Sequence, residues 1–395
     1  MNTSQIIKLS EDFLMHTYSR IPLVIEKGRG PRVWDKEGKC YLDFISGIGV
    51  MVPGYSHPYI LKAVQEQAKN LVHCSNLYYI YPQAKLAEKL CELSFSDKVF
   101  FSNSGAEANE AAIKLARKFG ASRGAYEIVA MENSFHGRTL ATLGLTAQSK
   151  YREGFGPFPS GFKFAHFNDL EGVKEVISPK TCAVIVEPIQ GEGGINVALS
   201  DFLEGLANFC KEKGILLILD EIQCGLGRTG KIFAYQHYKI DPDIMTLAKP
   251  LGGGLPIGAT LAKEEVASVF KPGNHASTFG GNPLVCAAGI AFLKVLEEKK
   301  LVEKAKEKGR YFQDKLQNLK KKFSFIQEVR GKGLMLGMEL NIDGGKRIVE
   351  ECREKGLLIN LTAGKVLRFL PPLVVENTDI DEAVDILKEV FENFS

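Results

Sequence analysis

Short apolar runs and longer amphipathic stretches alternate through the middle of the chain. Residues 126–131 (YEIVAM), 182–187 (CAVIVE), 215–220 (ILLILD) and 258–262 (GATLA) are almost continuously apolar. That character predicts strands of a sheet covered on both faces, where neither side meets water. Helical patterns lie between them. Residues 106–119 are alanine-rich, with Ile113, Ala116 and Phe119 on one side and charges opposite. Residues 200–213 begin at Ser200, a candidate N-cap, and stop before Gly214. Strand–helix alternation predicts an α/β fold with a mostly parallel sheet.

The two ends read differently. Residues 28–44 (GRGPRVWDKEGKCYLDF) predict a small hairpin turning at residues 36–38. Beyond about residue 299, Lys/Glu-rich helices flank the short strands MLGMEL and KVLRFLPP. The expected organisation is a large domain over 46–298 and a smaller α+β domain assembled from 1–45 and 299–395.

Composition narrows the function classes. The 395 residues carry 50 Lys+Arg against 47 Asp+Glu, and no basic block supports a nucleic-acid role. No apolar run reaches the ~18 residues of a membrane span. The opening MNTSQIIKLSEDF has charges where a signal peptide needs an apolar stretch. The eight cysteines are scattered, with no C-x-x-C pair. They read as buried thiols of a reducing compartment, not as a zinc site, so no metal and a cytoplasmic location are expected.

Several residues carry possible chemistry. Asp220 closes a strand, in ILLILDEIQ, and functional groups gather at the carboxyl ends of strands in α/β sheets. It is either a helix-capping residue or a buried carboxylate that keeps the pyridinium nitrogen of pyridoxal phosphate protonated. Lys249 lies in DIMTLAKPLGGGLPIGA, after an apolar run and before three glycines. A surface lysine beside a turn is one reading. The other is an amine neutralised by desolvation so that it can attack an aldehyde, with Pro250 forcing it out of helical geometry. Ser104 and Gly105, in SNSGAEA, open a helix and form either a plain cap or a phosphate site. Thr278, in HASTFGGNP, is a second hydroxyl beside glycines. In FHGRT, Phe135 offers a stacking ring and Arg138 a carboxylate fork. Arg368 interrupts an apolar strand, VLRFLPP, and Glu192 sits on the glycine loop QGEGG.

A rival reading pairs ILLILDE with GLGRTGK as the acidic strand and phosphate loop of a P-loop nucleotidase. The phosphate loop needs Ser or Thr after its lysine, and Ile232 stands there. The acidic strand would also run into the loop with no helix between.

Taken in order, SNSGAEA, FHGRT, EPIQGEGG, LDEIQCGLGRTG, AKPLGGGLPIGA and HASTFGGNP resemble the class III aminotransferases of PLP fold type I, from about Tyr18 to Pro372. YSRIPL, SNLYY and GLLINLTAGKVLRFLPPL point to the acetylornithine branch of that family. The resemblance implies a mostly parallel seven-stranded sheet flanked by helices. It implies pyridoxal 5'-phosphate held by Lys249 as a Schiff base, with Asp220 on the pyridinium nitrogen and Gln223 on the ring hydroxyl. Ser104 and Gly105 match the phosphate cup, and Phe135 the stacking ring. Thr278 matches a phosphate ligand given by a second subunit, hence a homodimer with active sites at its interface. Ser277 and Arg138 match substrate positions, Arg368 the α-carboxylate site for glutamate, and Glu192 a carboxylate that pairs with Arg368 and swings away. The implied reaction moves the δ-amino group of N2-acetyl-L-ornithine to 2-oxoglutarate, in two steps and in either direction. Succinylornithine, succinyldiaminopimelate, ornithine and 4-aminobutyrate are the alternative donors. The chain departs from the family at Tyr55, where GYSHP replaces GHxHP, at Met51 and at Pro250. The first two are expected to reshape the substrate wall.

Overall fold

The computed structural model describes residues 1–394. Its centre is a seven-stranded sheet. In chain order the strands are β1 (Lys98–Ser102), β2 (Glu127–Met131), β3 (Phe162–Ala165), β4 (Thr181–Val186), β5 (Leu216–Asp220), β6 (Ile244–Leu247) and β7 (Gly258–Ala262). Across the sheet they run β1-β7-β6-β5-β4-β2-β3. Every neighbouring pair is parallel except those made by β7, which runs against both β6 and β1. The connection from β6 to β7 is shorter than the dozen or so residues a parallel crossover needs, so the chain reverses there. Lys249 and its glycines occupy that reversal.

The apolar runs became strands for the expected reason. Every residue of β4, β5 and β7 is buried, and apolar clusters fill both faces of the sheet. Helix α1 (Gly105–Gly120) turns Ala108, Ala112, Ile113 and Ala116 inward. Helix α2 (Ser200–Lys213) ends at Gly214 in a left-handed cap with φ 64°. Its N-cap is Leu199, not Ser200, which lies inside the first turn. No side chain caps its first turn, and Asn168 Oδ1 accepts the N–H of Leu199 that leads into it.

Outside the central sheet the two chain ends meet. Strands Ile25–Arg29, Arg32–Asp35 and Cys40–Asp43 form a meander, and Leu357–Leu358 adds to its edge, parallel to Cys40–Asp43. The turn falls where the sequence placed it, with Gly38 at φ 88°. A second four-stranded sheet contains β8 (Ile326–Lys332), β9 (Met335–Leu340), β10 (Asn360–Thr362) and β11 (Val366–Phe369), in the order β8-β9-β11-β10. The helices α3 (Leu301–Lys322) and α4 (Asn377–Glu392) carry a buried Phe312 and Phe391 into the core beside it.

Candidate active site

A cavity of about 430 Å³ opens at the carboxyl ends of the parallel strands. The chain leaves β1, β2, β4, β5 and β6 toward it, and each exit delivers a polar group: Ser104, Arg138, Glu192, Asp220 and Lys249. Gathering at strand ends is the geometry expected of an α/β site.

Asp220 is 4% exposed and fully engaged. Its Oδ2 accepts from Asn109 Nδ2 at 2.7 Å and meets His136 Nδ1 at 2.8 Å, while Oδ1 accepts the Ile222 N–H at 3.1 Å. Asn109 is held in turn by Thr246, whose hydroxyl donates to Asn109 Oδ1 at 2.8 Å. These supports were missed in the sequence. The available signal was a single amide, Asn109, on an alanine-lined helix face one turn past Gly105. His136 lay inside a motif singled out for its neighbours. Its Nε2 is buried and has no partner among the described residues.

Glu187 was missed too. It stands just past β4, lines the cavity, and accepts the N–H of Phe135 at 3.0 Å and of Gly191 at 3.3 Å. Burial raises its carboxyl to about 7; His136 opposes that shift and Asp220 adds to it.

Lys249 opens a 3-10 turn, Lys249–Gly252, at φ 20°. Such a backbone is strained for a side chain bearing a Cβ, and it persists only where surrounding structure dictates it. Burial pulls the amine below its usual range, with Arg368 acting in the same direction and Glu192 against it. A lysine so placed is a free base more readily than one in water.

The N-terminus of α1 supplies the next wall. Ser104 is the N-cap, and its hydroxyl accepts the Glu107 N–H at 3.2 Å. Among the described residues no acceptor takes the N–H of Gly105 or Ala106, both on the cavity. A Cβ at Gly105 would stand 2.8 Å from Ile222 Cδ1, so only glycine brings this backbone so close. Phe135 lines the cavity, edge-on to Tyr151 at 5.7 Å, and the exposed Arg138 guanidinium lies 4.1 Å over the Tyr151 ring.

Arg368 lies behind this wall rather than on it. It is 1% exposed, and Nη1 donates to Glu192 Oε1 at 2.5 Å and to Gln223 Oε1 at 3.3 Å. Burial opposes ionisation of Glu192, but Arg368, Lys249 and Gln223 together outweigh it and hold the carboxyl below its usual range. Ser277 and Thr278 line a neighbouring cavity of about 690 Å³ instead. Ser277 Oγ accepts from Asn103 Nδ2 at 3.1 Å, which ties that cavity to the first. Tyr55 is not on the substrate wall, contrary to expectation. Its hydroxyl donates to Asp43 Oδ2 at 2.5 Å, and its ring packs with Val33, Tyr41 and Leu358. Residues 225–231 are no phosphate loop. Arg228 is buried there, donating to the Leu334 carbonyl at 3.1 Å, and none of the segment lines the cavity.

The donor set has a definite chemistry. A helix N-terminus with free N–H groups fits a phosphate, a buried carboxylate fits a cationic ring nitrogen, and a desolvated amine fits an aldehyde. The pattern that defines aminotransferase class-III matches residues 13–391. The chain belongs to the class-III aminotransferases. This class-III chain is 52% identical over 394 residues to the acetylornithine aminotransferase of Methanocaldococcus jannaschii, covering 99% of both chains. The crystal structure of acetylornithine aminotransferase from Elizabethkingia anophelis superposes with a TM-score of 0.90 at 36% identity, covering 100% of each chain. Ornithine aminotransferase from Toxoplasma gondii ME49 gives 0.95 at 35% identity, covering 100% of this chain and 96% of that one.

Proposed function

We propose that the chain uses pyridoxal 5'-phosphate to transfer the δ-amino group of N2-acetyl-L-ornithine to 2-oxoglutarate, giving N-acetyl-L-glutamate 5-semialdehyde and L-glutamate, or the reverse. When bound, the cofactor supplies an electron sink for the charge left as a proton leaves the amine-bearing carbon. Lys249 would hold it through its aldehyde, Asp220 would keep the ring nitrogen protonated, and Gln223 would meet the ring hydroxyl. Ser104, Gly105 and Ala106 would take the phosphate and Phe135 the ring face. Released from that covalent duty, Lys249 is the base that moves the proton at the reacting carbon, a role that requires the neutral amine its burial favours.

The observation that carries the substrate reading is the Arg368–Glu192 pair at 2.5 Å, beside Lys249. Two donors of different reach must use one site. Glutamate reacts next to a carboxylate and needs Arg368 close to the reacting carbon. Acetylornithine reacts at its far end, so its carboxylate meets Arg138 instead. Arg368 would then be left unpaired in a desolvated place, a costly state. Glu192 neutralises it, and swings away when glutamate arrives. The identity to acetylornithine aminotransferases supports the acyl donor. The TM-score to an ornithine aminotransferase favours free ornithine as a second reading, but backbone superposition is shared by both donors and sequence identity favours the first.

The partner is a second copy. Thr278 is exposed beside Leu77 and Phe279, apolar side chains also left in water. A second subunit covering them would receive Thr278 at its own phosphate, with Ser277 nearby on the substrate side. Within each subunit we assign 46–298 to a large domain and 1–45 with 299–395 to a small one. Among the described residues no helix is long and apolar enough to cross a membrane. The eight free thiols support a reducing cytoplasm.

The test is kcat/KM for five donors, acetylornithine, succinylornithine, succinyldiaminopimelate, ornithine and 4-aminobutyrate, with 2-oxoglutarate as acceptor. Acetylornithine is expected to lead. A large preference for free ornithine overturns the assignment.

A further inference from the structure

Strand β10 is three residues long, and its alternate side chains, Asn360 and Thr362, share a face. They reach opposite halves of the Glu192–Arg368 pair. Asn360 Oδ1 accepts from Arg368 Nε at 3.3 Å. Thr362 Oγ1 donates to the backbone carbonyl of Glu192 at 2.7 Å. The loop bearing Glu192 is fastened at every residue. Glu187 takes the Gly191 N–H, Asn196 Nδ2 donates to the Gly193 carbonyl at 3.0 Å, and Arg330 donates to the Gly194 carbonyl at 3.0 Å from Nε and 2.7 Å from Nη2. Arg330 is fixed in turn by Glu328 and Glu339.

A glycine-rich loop pinned at four successive residues cannot swing as a body without breaking several hydrogen bonds. The Glu192 carboxylate can still leave Arg368 by rotating its own side chain. We propose that β10 is the jig for this switch: Thr362 and Asn360 are positioning residues that hold the two partners in register, and the gate opens by rotation of the Glu192 side chain over a fixed backbone. The inference rests on the proposed gate role of Glu192.

The consequence is a split between half-reactions. Thr362→Val removes one hydrogen bond from the loop with little change of volume. Glu192 then pairs less well with Arg368, which harms the donor that needs Arg368 masked. In single-turnover measurements on the holoenzyme, the acetylornithine half-reaction is expected to slow about fivefold, the size of one lost hydrogen bond. The glutamate half-reaction should hold within about twofold. Thr362→Ser keeps the hydroxyl and should restore both. Calorimetric binding of glutarate, an unreactive dicarboxylate, should tighten in Thr362→Val because Arg368 is more available. On a Glu192→Ala background the Thr362→Val effect should vanish, since contacting groups couple non-additively. Equal slowing of both halves by Thr362→Val, or its full effect surviving without the Glu192 carboxylate, overturns the inference and leaves the gate standing. If Glu192→Ala alone slows both halves equally, the gate reading fails first, and the jig falls with it.

Discussion

The wall carrying Asp220 and Lys249 and the wall carrying Glu192 and Arg368 are built on different plans. The first is made at the exits of neighbouring strands of one sheet, where β5 pairs with β6 in register. Lys249 and Ser104 are set largely by local chain, through Pro250 and the helix cap, and Asp220 by its strand end together with Asn109 and His136. The second wall joins a loop after β4 to strands β10 and β11, far along the chain. Its groups are set by one another: Arg368 by Glu192, Gln223 and Asn360, and Glu192 by Thr362. A wall fixed by its own strand ends suits a cofactor that stays. A wall fixed by mutual pairing suits the alternating substrates of the proposed function.

Substitutions should separate the walls. The largest effect is expected from Lys249→Ala, which should cut both half-reactions by on the order of 10³-fold, as loss of the acid–base group requires. Asp220→Ala should also hit both halves equally, by about 10²-fold or more, and weaken cofactor retention, because a preorganised charge is lost. Stopped-flow measurement of each half-reaction checks both variants. Glu192→Ala should instead act unequally, slowing the acetylornithine half about tenfold and the glutamate half far less. Equal losses there would erase the distinction between the walls.

The seam between them is Glu187, which accepts an N–H from the Phe135 loop and one from the Glu192 loop. Its carboxyl is raised from an ordinary 4.5 to about 7 by burial. Such a group adds stability fully below its unfolded value, and that contribution is lost as pH rises through about 7. Melting curves from pH 4.5 to 8 should therefore show wild type losing Tm relative to Glu187→Gln over that window. Parallel profiles would mean the carboxyl ionises normally.

The smallest effect belongs to Tyr55. Since its hydroxyl serves Asp43 rather than the cavity, Tyr55→Phe should cost about 1 kcal/mol of stability and leave the ranking of donors unchanged. A changed ranking by kcat/KM would return Tyr55 to the substrate wall.

The same contrast explains what could be read from the chain. Strands β4 and β5 were visible because burial on both faces makes them almost uninterrupted in apolar residues. Lys249, Asp220 and Ser104 were visible because each stands at the end of such a run or helix. Family resemblance supplied Gln223, and the structure puts it against both Glu192 and Arg368. Asn109, His136 and Glu187 were not read as functional, since their significance lies in contacts to Asp220 and the cavity loops made only after folding. Tyr55 was misread because a departure from a family pattern gives the position but not the direction of the side chain. The antiparallel β7 was likewise invisible in periodicity and follows from the short reversal that holds Lys249.

That reversal holds Lys249, on which the proposed chemistry depends most. The direct test is to reduce the holoenzyme with borohydride, digest it and map the peptide that carries the cofactor by mass spectrometry. Wild type should carry the added mass on Lys249, and Lys249→Ala should carry none. Label on another lysine, or label retained in that variant, would contradict the role of Lys249.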